Sequence, residues 1–350
     1  MKAATPELIN LLEHSGARDF WTTRCVSITT KFRHTLHYTE ADVSIVLPET
    51  GSVVYRHDGA RIKVGYAKRK LGLEVDALDL ALAPIDADGT PDPAATPALP
   101  VSLYRAARNG LLDRAHVVVR RAFAPMPGPD YQALEPVDPN AGPGQRVLTF
   151  TPTGSLWWFE GYLAAGELTE SLLSYKINPP TKLLNANFPR HVYRRGCGWD
   201  LYGTGCGVSR EAFTYRGKMT SLATRNEVVG YTPSDGWGTS IDHPPNGYFD
   251  EGVLTVVGGD NAFVRRGIKV HQGGVFTLST PLPFPPKQDD EFTVVPGCNK
   301  TWETCGAKFN NQHHFRGFPN LPKPDSLTGT KMKDVTEKKI RVPEKDPVEA

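Results

Sequence analysis

The chain has 350 residues, enough for about two domains, and 39% of them are hydrophobic and 22% charged, as in ordinary globular proteins. Its 40 basic and 38 acidic residues give a formal net charge of +2. This balance excludes the large uniform field that draws a whole protein surface onto nucleic acid or an anionic membrane. The 33 glycines and 30 prolines indicate many turns.

The first predicted element is a short helix over residues 6–15, where a cap hydroxyl and a proline precede apolar residues at helical spacing. After it, apolar residues recur at every second position, which is typical of strands. An Asp-Gly pair predicts a hairpin over residues 53–66. Further strands are predicted within residues 73–83, 116–123, 147–150, 253–257, 275–278 and 292–295.

The chain is therefore predicted to be mainly β. Two proline-rich stretches, residues 84–100 and 125–143, are predicted as surface loops, since proline cannot donate to a strand ladder. The sequence is divided into an N-terminal β domain and a second β domain that carries most of the cysteines, followed by a charged, extended tail too poor in apolar residues to form a core. The predicted boundaries are 1–165, 166–325 and 326–350.

Five cysteines are present, and no apolar stretch reaches the roughly 18–20 residues needed to cross a bilayer. Because the N-terminal segment carries charges where a signal peptide is apolar, we expect synthesis and retention in a cytoplasm. Cysteines in a reducing compartment are free thiols or metal ligands more often than disulfides. Four of them form two closely spaced pairs that indicate a four-thiolate site: Cys197 and Cys206, and Cys298 and Cys305.

Glycine flanks these four cysteines far more often than composition predicts. It occupies six of the eight adjacent positions: Gly196, Gly198, Gly205, Gly207, Gly297 and Gly306. Glycine permits positive φ and lets backbone N–H groups approach an anionic sulfur closely. The six glycines are therefore predicted to support a metal group with their backbone. Cys25 has no such neighbours and is predicted to be a buried structural thiol.

The identity of the metal is open from the residues alone. Zinc sites usually have cysteine pairs separated by two to four residues, and the separations here are longer. Iron–sulfur clusters accept more varied spacing, and nearby cations suit an anionic [4Fe–4S] cluster. A cluster, a zinc ion and unliganded thiols all remain alternatives. His313 and His314 are interpreted as structural polar residues rather than ligands.

Two segments around the cysteines carry a family resemblance: RGCGWDLYGTGCGV and VVPGCNKTWETCGAKFNNQHHFRGFPNLPKPD. They resemble the phage baseplate hub and tail tip proteins, the family of the lambda tail tip protein and the hub protein of gene transfer agents. The first half of the chain is similar to that family in the order of its elements, including GYAKRKLGLEVDALDLAL and NGLLDRAHVVVRRAF.

The resemblance implies β-barrel or β-sandwich hub domains in a homotrimer at the tail tip of a virion. The implied partners are the distal tail protein, the tape-measure protein and the central fibre, with no sequence-specific binding of nucleic acid. It also implies a [4Fe–4S] cluster held by the four paired cysteines as a structural staple of the second domain. No catalytic role is implied. An alternative of a different class is an iron–sulfur or zinc redox enzyme of the bacterial cytoplasm.

Overall fold

A computed structural model describes most of the chain, and contacts between its residues divide it into two compact units. The larger unit comprises Met1–Arg190 and Ser209–Gly297, and the cysteine unit comprises His191–Val208 and Cys298–Ala350. The predicted tail at 326–350 lies outside the described residues. Those residues are 4–14, 20–51, 53–65, 77–84, 92–129, 135–136, 148–164, 166–169, 171–185, 193–231 and 244–321.

The helices of the described residues are α1 (Pro6–His14), α2 (Leu103–Arg108) and α3 (Trp302–Phe309). Short 3₁₀ turns occupy Pro48–Thr50, Pro180–Asn185, Glu211–Phe213 and Gln312–His314. The strands are β1 (Phe20–Thr29), β2 (Thr35–Thr39), β3 (Ser44–Val46), β4 (Val54–Tyr55), β5 (Arg61–Val64), β6 (Leu78–Ala83), β7 (Ala95–Thr96), β8 (His116–Pro125), β9 (Glu135–Pro136), β10 (Leu148–Phe150), β11 (Gly154–Leu163), β12 (Glu167–Leu168), β13 (Leu173–Asn178), β14 (Tyr215–Met219), β15 (Glu227–Tyr231), β16 (Val253–Val256), β17 (Arg265–Gln272), β18 (Val275–Leu278) and β19 (Glu291–Val295).

The helix predicted at the N-terminus is confirmed as α1. The hydroxyl of Thr5 accepts a hydrogen bond from the N–H of Leu8 at 3.3 Å, which satisfies one of the free donors of the first turn. The side chain of Leu8 is fully buried. The mainly β prediction is confirmed as well, since strands far outnumber helices in the described part of the chain.

The largest layer is a nine-stranded sheet in the order β5-β6-β13-β11-β8-β1-β2-β7, with β12 beside β13. Its centre is the long antiparallel pair of β1 and β8, which runs from Phe20 opposite Pro125 to Thr29 opposite His116. Successive side chains of a strand point to opposite faces, and Val26 and Val119 lie on the face that is buried in the main core. Cys25 and Ala122 lie on the other face, where they are buried in a second core cluster.

The hairpin predicted over residues 53–66 is wrong. Strand β4 pairs with β3 in a second sheet of order β4-β3-β10-β9, whereas β5 pairs with β6 in the large sheet. The connection between β4 and β5 is held elsewhere: the N–H of Ala60 and the hydroxyl of Tyr38 both donate to the buried carboxylate of Asp92. These hydrogen bonds hold the connection in a conformation that places β4 and β5 in different sheets and does not pair them as a hairpin.

The two proline-rich stretches were predicted to lack strand pairing, and the structure differs at one place in each. Strand β7 pairs with β2, and β9 pairs with β10. Each of these two-residue strands is the last strand of its sheet. Proline is tolerated at such an edge because its missing N–H has no partner strand to reach.

The third layer is a closed barrel of six antiparallel strands in the order β14-β15-β18-β17-β16-β19. Its interior is filled by large buried side chains, among them Phe249, Phe276 and Phe292, whose rings meet at centroid distances of 5.6 and 5.7 Å. The barrel lies in the second of the predicted domains, and the described strands of residues 1–165 belong to the two sheets. The boundaries predicted from sequence at 165 and 325 stay a prediction, and the two compact units follow a different division.

No helix among the described residues combines the length and the apolar character required to span a membrane.

Candidate metal centre

All four paired cysteines lie in the cysteine unit, on two short segments. The first segment, described from residue 193, is a succession of turns around Cys197 and Cys206. The second segment begins at Cys298 and continues into α3, where the hydroxyl of Thr301 caps the N–H of Thr304 at 3.3 Å. Helix α3 contributes Cys305 and ends at Asn310, whose φ of 46° is in the left-handed region that terminates helices.

The tertiary structure brings the four thiols into one neighbourhood. Cys305 is buried, and the other three paired cysteines are half-buried. Burial raises the pKa of the Cys305 thiol, and the nearby charges of Cys298, Cys197 and Cys206 raise it further. Each of the three other thiols thus acts electrostatically on Cys305, as expected of groups that share a site.

Hydrogen-bond donors point at three of the four sulfur atoms. The backbone N–H of Arg316 donates to Cys197 Sγ at 3.5 Å, and that of Lys300 donates to Cys298 Sγ at 3.4 Å. The side-chain amide of Asn311 lies 3.7 Å from Cys206 Sγ. Donors of this kind stabilise thiolates and tune sulfur-ligated metal groups.

The fourth thiol, that of Cys305, donates to the carbonyl oxygen of Asn311 at 3.3 Å. Asn311 is itself buried, and its backbone N–H donates to the carbonyl of Cys305 at 3.0 Å. Asn311, which follows the C-cap residue of α3, therefore covers Cys305 through two hydrogen bonds.

Several hydrogen bonds tie the two cysteine-bearing segments together, and four of them involve the cysteines or their near neighbours. The N–H of Cys197 donates to Lys300 O at 2.8 Å, and the ammonium of Lys300 donates to Trp199 O at 2.5 Å. The N–H of Gly198 donates to Arg316 O at 2.8 Å. The side-chain amide of Asn311 donates to the carbonyl of Cys206 at 2.6 Å. The relative placement of the thiols is thus fixed by the protein itself.

The six flanking glycines have several roles, and at two of them the structure differs from the predicted donation to sulfur. The N–H groups of Gly198 and Gly207 donate to carbonyl oxygens, those of Arg316 and Gly203. Gly207 has a φ of 72°, which glycine adopts without strain.

Close packing explains three more of the flanking glycines. A Cβ at Gly205 would overlap the indole ring of Trp199, and one at Gly306 would overlap the side chain of Gln312. Gly297 belongs to the larger unit, where it lies against the backbone of Glu251. Gly196 faces the carbonyl of Lys300, 3.4 Å from its Cβ position. Close packing is therefore one requirement at Gly205, Gly297 and Gly306, and the support of a metal group by the six glycines stays a prediction.

Sequence reasoning missed Asn311 and Arg316, the donors to Cys206 and Cys197. Their signal was weak, because an asparagine next to the second cysteine pair and an arginine in a loop are common. The guanidinium of Arg316 also lies 5.0 Å from the centroid of the Trp199 ring. The Nδ1 of His314 is 3.0 Å from Asn311 Oδ1, and its role as a structural polar residue stays a prediction.

Cys25 belongs to the larger unit, where it is part of a buried core cluster. It is fully buried, and burial raises the pKa of its thiol to about 12. This environment matches the prediction of a buried structural thiol.

The donor chemistry of the four cysteines fits a thiolate-ligated metal group, because four thiols and several N–H donors converge within one small unit. As the side chains stand, no group of three or more His, Cys, Asp or Glu residues in the described ranges is arranged to hold a metal ion. Metal binding and the kind of metal therefore stay predictions.

Comparisons with known proteins find a similarity to phage proteins. Residues 247–325 match the family model described as phage conserved hypothetical protein BR0599. An uncharacterised protein of Xylella fastidiosa (strain 9a5c) is 35% identical over 80 residues, which are 22% of this chain and 16% of that protein. The matched region thus spans about a sixth of the relative's length.

The fold is shared over a much longer stretch. A chain in the solved structure of the virion of a native gene transfer agent (GTA) particle aligns with a TM-score of 0.59, at 19% sequence identity. The alignment covers 98% of this chain and 99% of that one. The resemblance to phage proteins is therefore confirmed as a phage-conserved segment at residues 247–325 and as a fold shared with a virion protein over nearly the whole chain, and the role at the tail tip stays a prediction.

Proposed function

We propose that this chain is a structural protein of a phage or phage-like particle and forms the baseplate hub at its tail tip. The observation that carries the proposal is the similarity of fold to a protein of a gene transfer agent virion, which extends over 98% of this chain. The match of residues 247–325 to a phage-conserved family model also supports a phage origin, and this segment includes the second cysteine pair. The role is structural rather than catalytic.

A hub of this kind assembles as a homotrimer and contacts the distal tail protein, the tape-measure protein and the central fibre. Exposed aromatic side chains support an assembling protein: Trp157 and Tyr162 on β11 are 46% and 45% exposed. Aromatic residues are enriched in protein interfaces, where they bury large areas at low cost in conformational entropy.

The test of this role uses the particles produced by a bacterium that carries the gene. Antibody against the chain should label the tip of the tail, and deletion of the gene should leave heads and no complete tails. Light scattering of the purified protein should give the mass of three chains. Complete tails in the deletion strain, or a protein found only outside particles, would contradict the proposal.

For the four paired cysteines, the proposed ligand is an iron–sulfur cluster, most simply [4Fe–4S], with zinc as the alternative. When bound, the group supplies metal–thiolate bonds that cross-link the two segments of the cysteine unit, which are separated in sequence by the whole barrel. A metal that joins distant segments contributes directly to the free energy of folding. The group would thus act as a staple.

The protein's own groups prepare this site. The N–H groups of Lys300 and Arg316 and the amide of Asn311 favour the charged form of the sulfurs that they approach. The hydrogen bonds between the segments hold the thiols near one another before any ligand is present. Preorganisation of this kind lowers the entropic cost of binding.

Anaerobic purification followed by metal and sulfide analysis tests the ligand. A brown protein that absorbs near ~400 nm and contains about four iron atoms per chain is the expected result. Stoichiometric zinc in a colourless protein would show that the four cysteines bind zinc and not an iron–sulfur cluster. A folded protein with neither metal would overturn the metal site and leave the hub proposal to the particle experiment.

A further inference from the structure

A second candidate site is formed entirely by residues of the larger unit. It is an open pocket of about 570 Å³. One wall is the turn between β1 and β2, and the other is the outer face of the barrel at β14, β16, β17 and β19. Its charged lining consists of five cations and one carboxylate: Lys31, Arg33, Arg210, Arg216, Arg265 and Glu211.

The barrel wall carries a row of four polar side chains on neighbouring strands. Arg216 is opposite Thr293, Thr293 is opposite Thr255, and Thr255 is opposite Arg265. Directly opposed residues of antiparallel strands point to the same face, and strands are about 5 Å apart. Two hydroxyls are thus placed side by side between two guanidinium groups, which is a platform of hydrogen-bond donors.

Thr255 is the most informative member of this row. Its side chain is 8% exposed, and its Oγ1 has no hydrogen-bond partner although it lines the pocket. A buried hydroxyl without a partner carries a free-energy cost, so it is rare in native proteins. A ligand that accepts a hydrogen bond in the pocket would remove this cost.

Four of the five cations of the pocket lack an ion pair with a carboxylate of the described residues. Within the described residues, no carboxylate forms an ion pair with Lys31, Arg33, Arg210 or Arg265. Burial lowers the pKa of Lys31, the charge of Arg265 lowers it further, and Asp113 acts in the opposite direction. Burial likewise lowers the pKa of Arg265, with a further contribution from Arg210. The cations therefore repel one another, and an anion would stabilise them.

The opposite wall is rigid. The hydroxyl of Thr30 accepts from the N–H of His34 at 3.1 Å, and Arg33 is held at a φ of 66°, a left-handed value that is costly for a side chain with Cβ. The rings of Phe32 and His34 pack on Phe263, in the connection between β16 and β17, at centroid distances of 5.1 and 5.3 Å. Strained residues that are fixed by their surroundings occur preferentially at functional sites. The cations of the turn are thus presented to the pocket in a preorganised arrangement.

We propose that this pocket is a binding site for a phosphate group, held by the row Arg216, Thr293, Thr255 and Arg265 and by the cations of the facing turn. Guanidinium groups bind phosphate through paired, charge-assisted hydrogen bonds. An excess of four positive charges in the lining suits a doubly charged oxyanion or a run of phosphodiesters better than a single carboxylate. The inference is independent of the hub proposal and of any metal at the cysteines.

Calorimetric titration of the full chain at low salt provides the test, with three probes: inorganic pyrophosphate, a 12-nucleotide single-stranded DNA and a poly-glutamate peptide. Saturable binding of pyrophosphate assigns the site to free phosphate compounds. Binding of the DNA without pyrophosphate assigns it to a nucleic-acid backbone, which is read without regard to sequence. Binding of poly-glutamate alone, or of no probe, would overturn the proposal.

Three variants locate the binding. Arg265→Gln should weaken binding at least tenfold. Arg266→Gln should leave binding unchanged, because Arg266 does not line the pocket and its guanidinium donates to Pro281 O. Thr255→Val should weaken binding several-fold without lowering the melting temperature, since the hydroxyl that it removes has no partner in the free protein. Equal affinities for Arg265→Gln and Arg266→Gln would exclude the pocket as the site.

Discussion

The side-chain amide of Asn311 donates to the carbonyl oxygen of Cys206 at 2.6 Å and lies 3.7 Å from its Sγ. One buried side chain therefore links the residue after α3 to the first cysteine-bearing segment. Through its backbone, the same residue also contacts Cys305. Asn311 is thus the point at which both cysteine pairs are tied together.

Asn311→Ala should destabilise the cysteine unit by roughly 1–3 kcal/mol, because the carbonyl of Cys206 loses a buried donor. Limited proteolysis should show earlier cleavage within residues 193–208. Asn226→Ala, which changes an exposed asparagine, is the matched control and should leave the cleavage rate unchanged. Equal rates for the two variants would show that the amide has no structural role.

Replacement of a paired cysteine should have a larger effect if a metal is bound. Cys197→Ser or Cys305→Ser removes one ligand, and the metal's contribution to folding, on the order of 10 kcal/mol for structural metals, should be largely lost. Metal content and protease resistance should fall together.

Cys25→Ser is the control for these variants, since it exchanges a thiol buried in the core of the larger unit for a hydroxyl, at a cost of roughly 1–3 kcal/mol. It should retain the metal and assemble into particles. Folded, assembly-competent Cys197→Ser protein without metal would show that the paired cysteines are packing residues.

Gly205→Ala should perturb the cysteine unit by steric overlap with the indole of Trp199. Overpacking of this kind costs roughly 1–3 kcal/mol, and the emission of Trp199 should shift as the ring is displaced. Gly258→Ala is the control, because a Cβ at Gly258 meets no atom within 4 Å. An unchanged emission spectrum and melting temperature for Gly205→Ala would contradict the close contact.

Alkaline pH should destabilise the larger unit in part through Cys25. The pKa of its thiol is raised from 9.0 to about 12 by burial, so only the unfolded chain loses this proton between those values. The free energy of unfolding therefore falls with a slope of about 1.4 kcal/mol per pH unit in that window and is unaffected below it. Denaturant titrations of the wild type and of Cys25→Ala from pH 8 to 11 measure the difference, which should shrink as pH rises. A constant difference would contradict the raised pKa.

Local sequence patterns predicted the elements well. The capped apolar spacing of α1 and the two-residue period of strands such as β8 and β18 depend only on near neighbours in the chain. The glycine-flanked cysteine pairs were visible for the same reason. The prediction of a four-cysteine group was possible because two short segments already contain all four thiols.

Strand pairing could not be read from the same patterns, as β4 and β5 show. The Asp-Gly pair between them is a common hairpin signal, yet Asp92, from a proline-rich stretch, holds the connection and sends the two strands to different sheets. Contacts between residues far apart in sequence decide such cases, and no local pattern contains them.

The sequence by itself determined the β character, the N-terminal helix and the identity of the clustered cysteines, because propensity, period and spacing are local properties. Tertiary structure alone decided that Asn311 and Arg316 are donors at the sulfurs, and that Arg216, Thr293, Thr255 and Arg265 form one row. These four residues come from four strands, and only the barrel's register aligns them. The physical reason is that hydrogen-bond register, which fixes neighbours across strands, is set by the packing of the whole sheet.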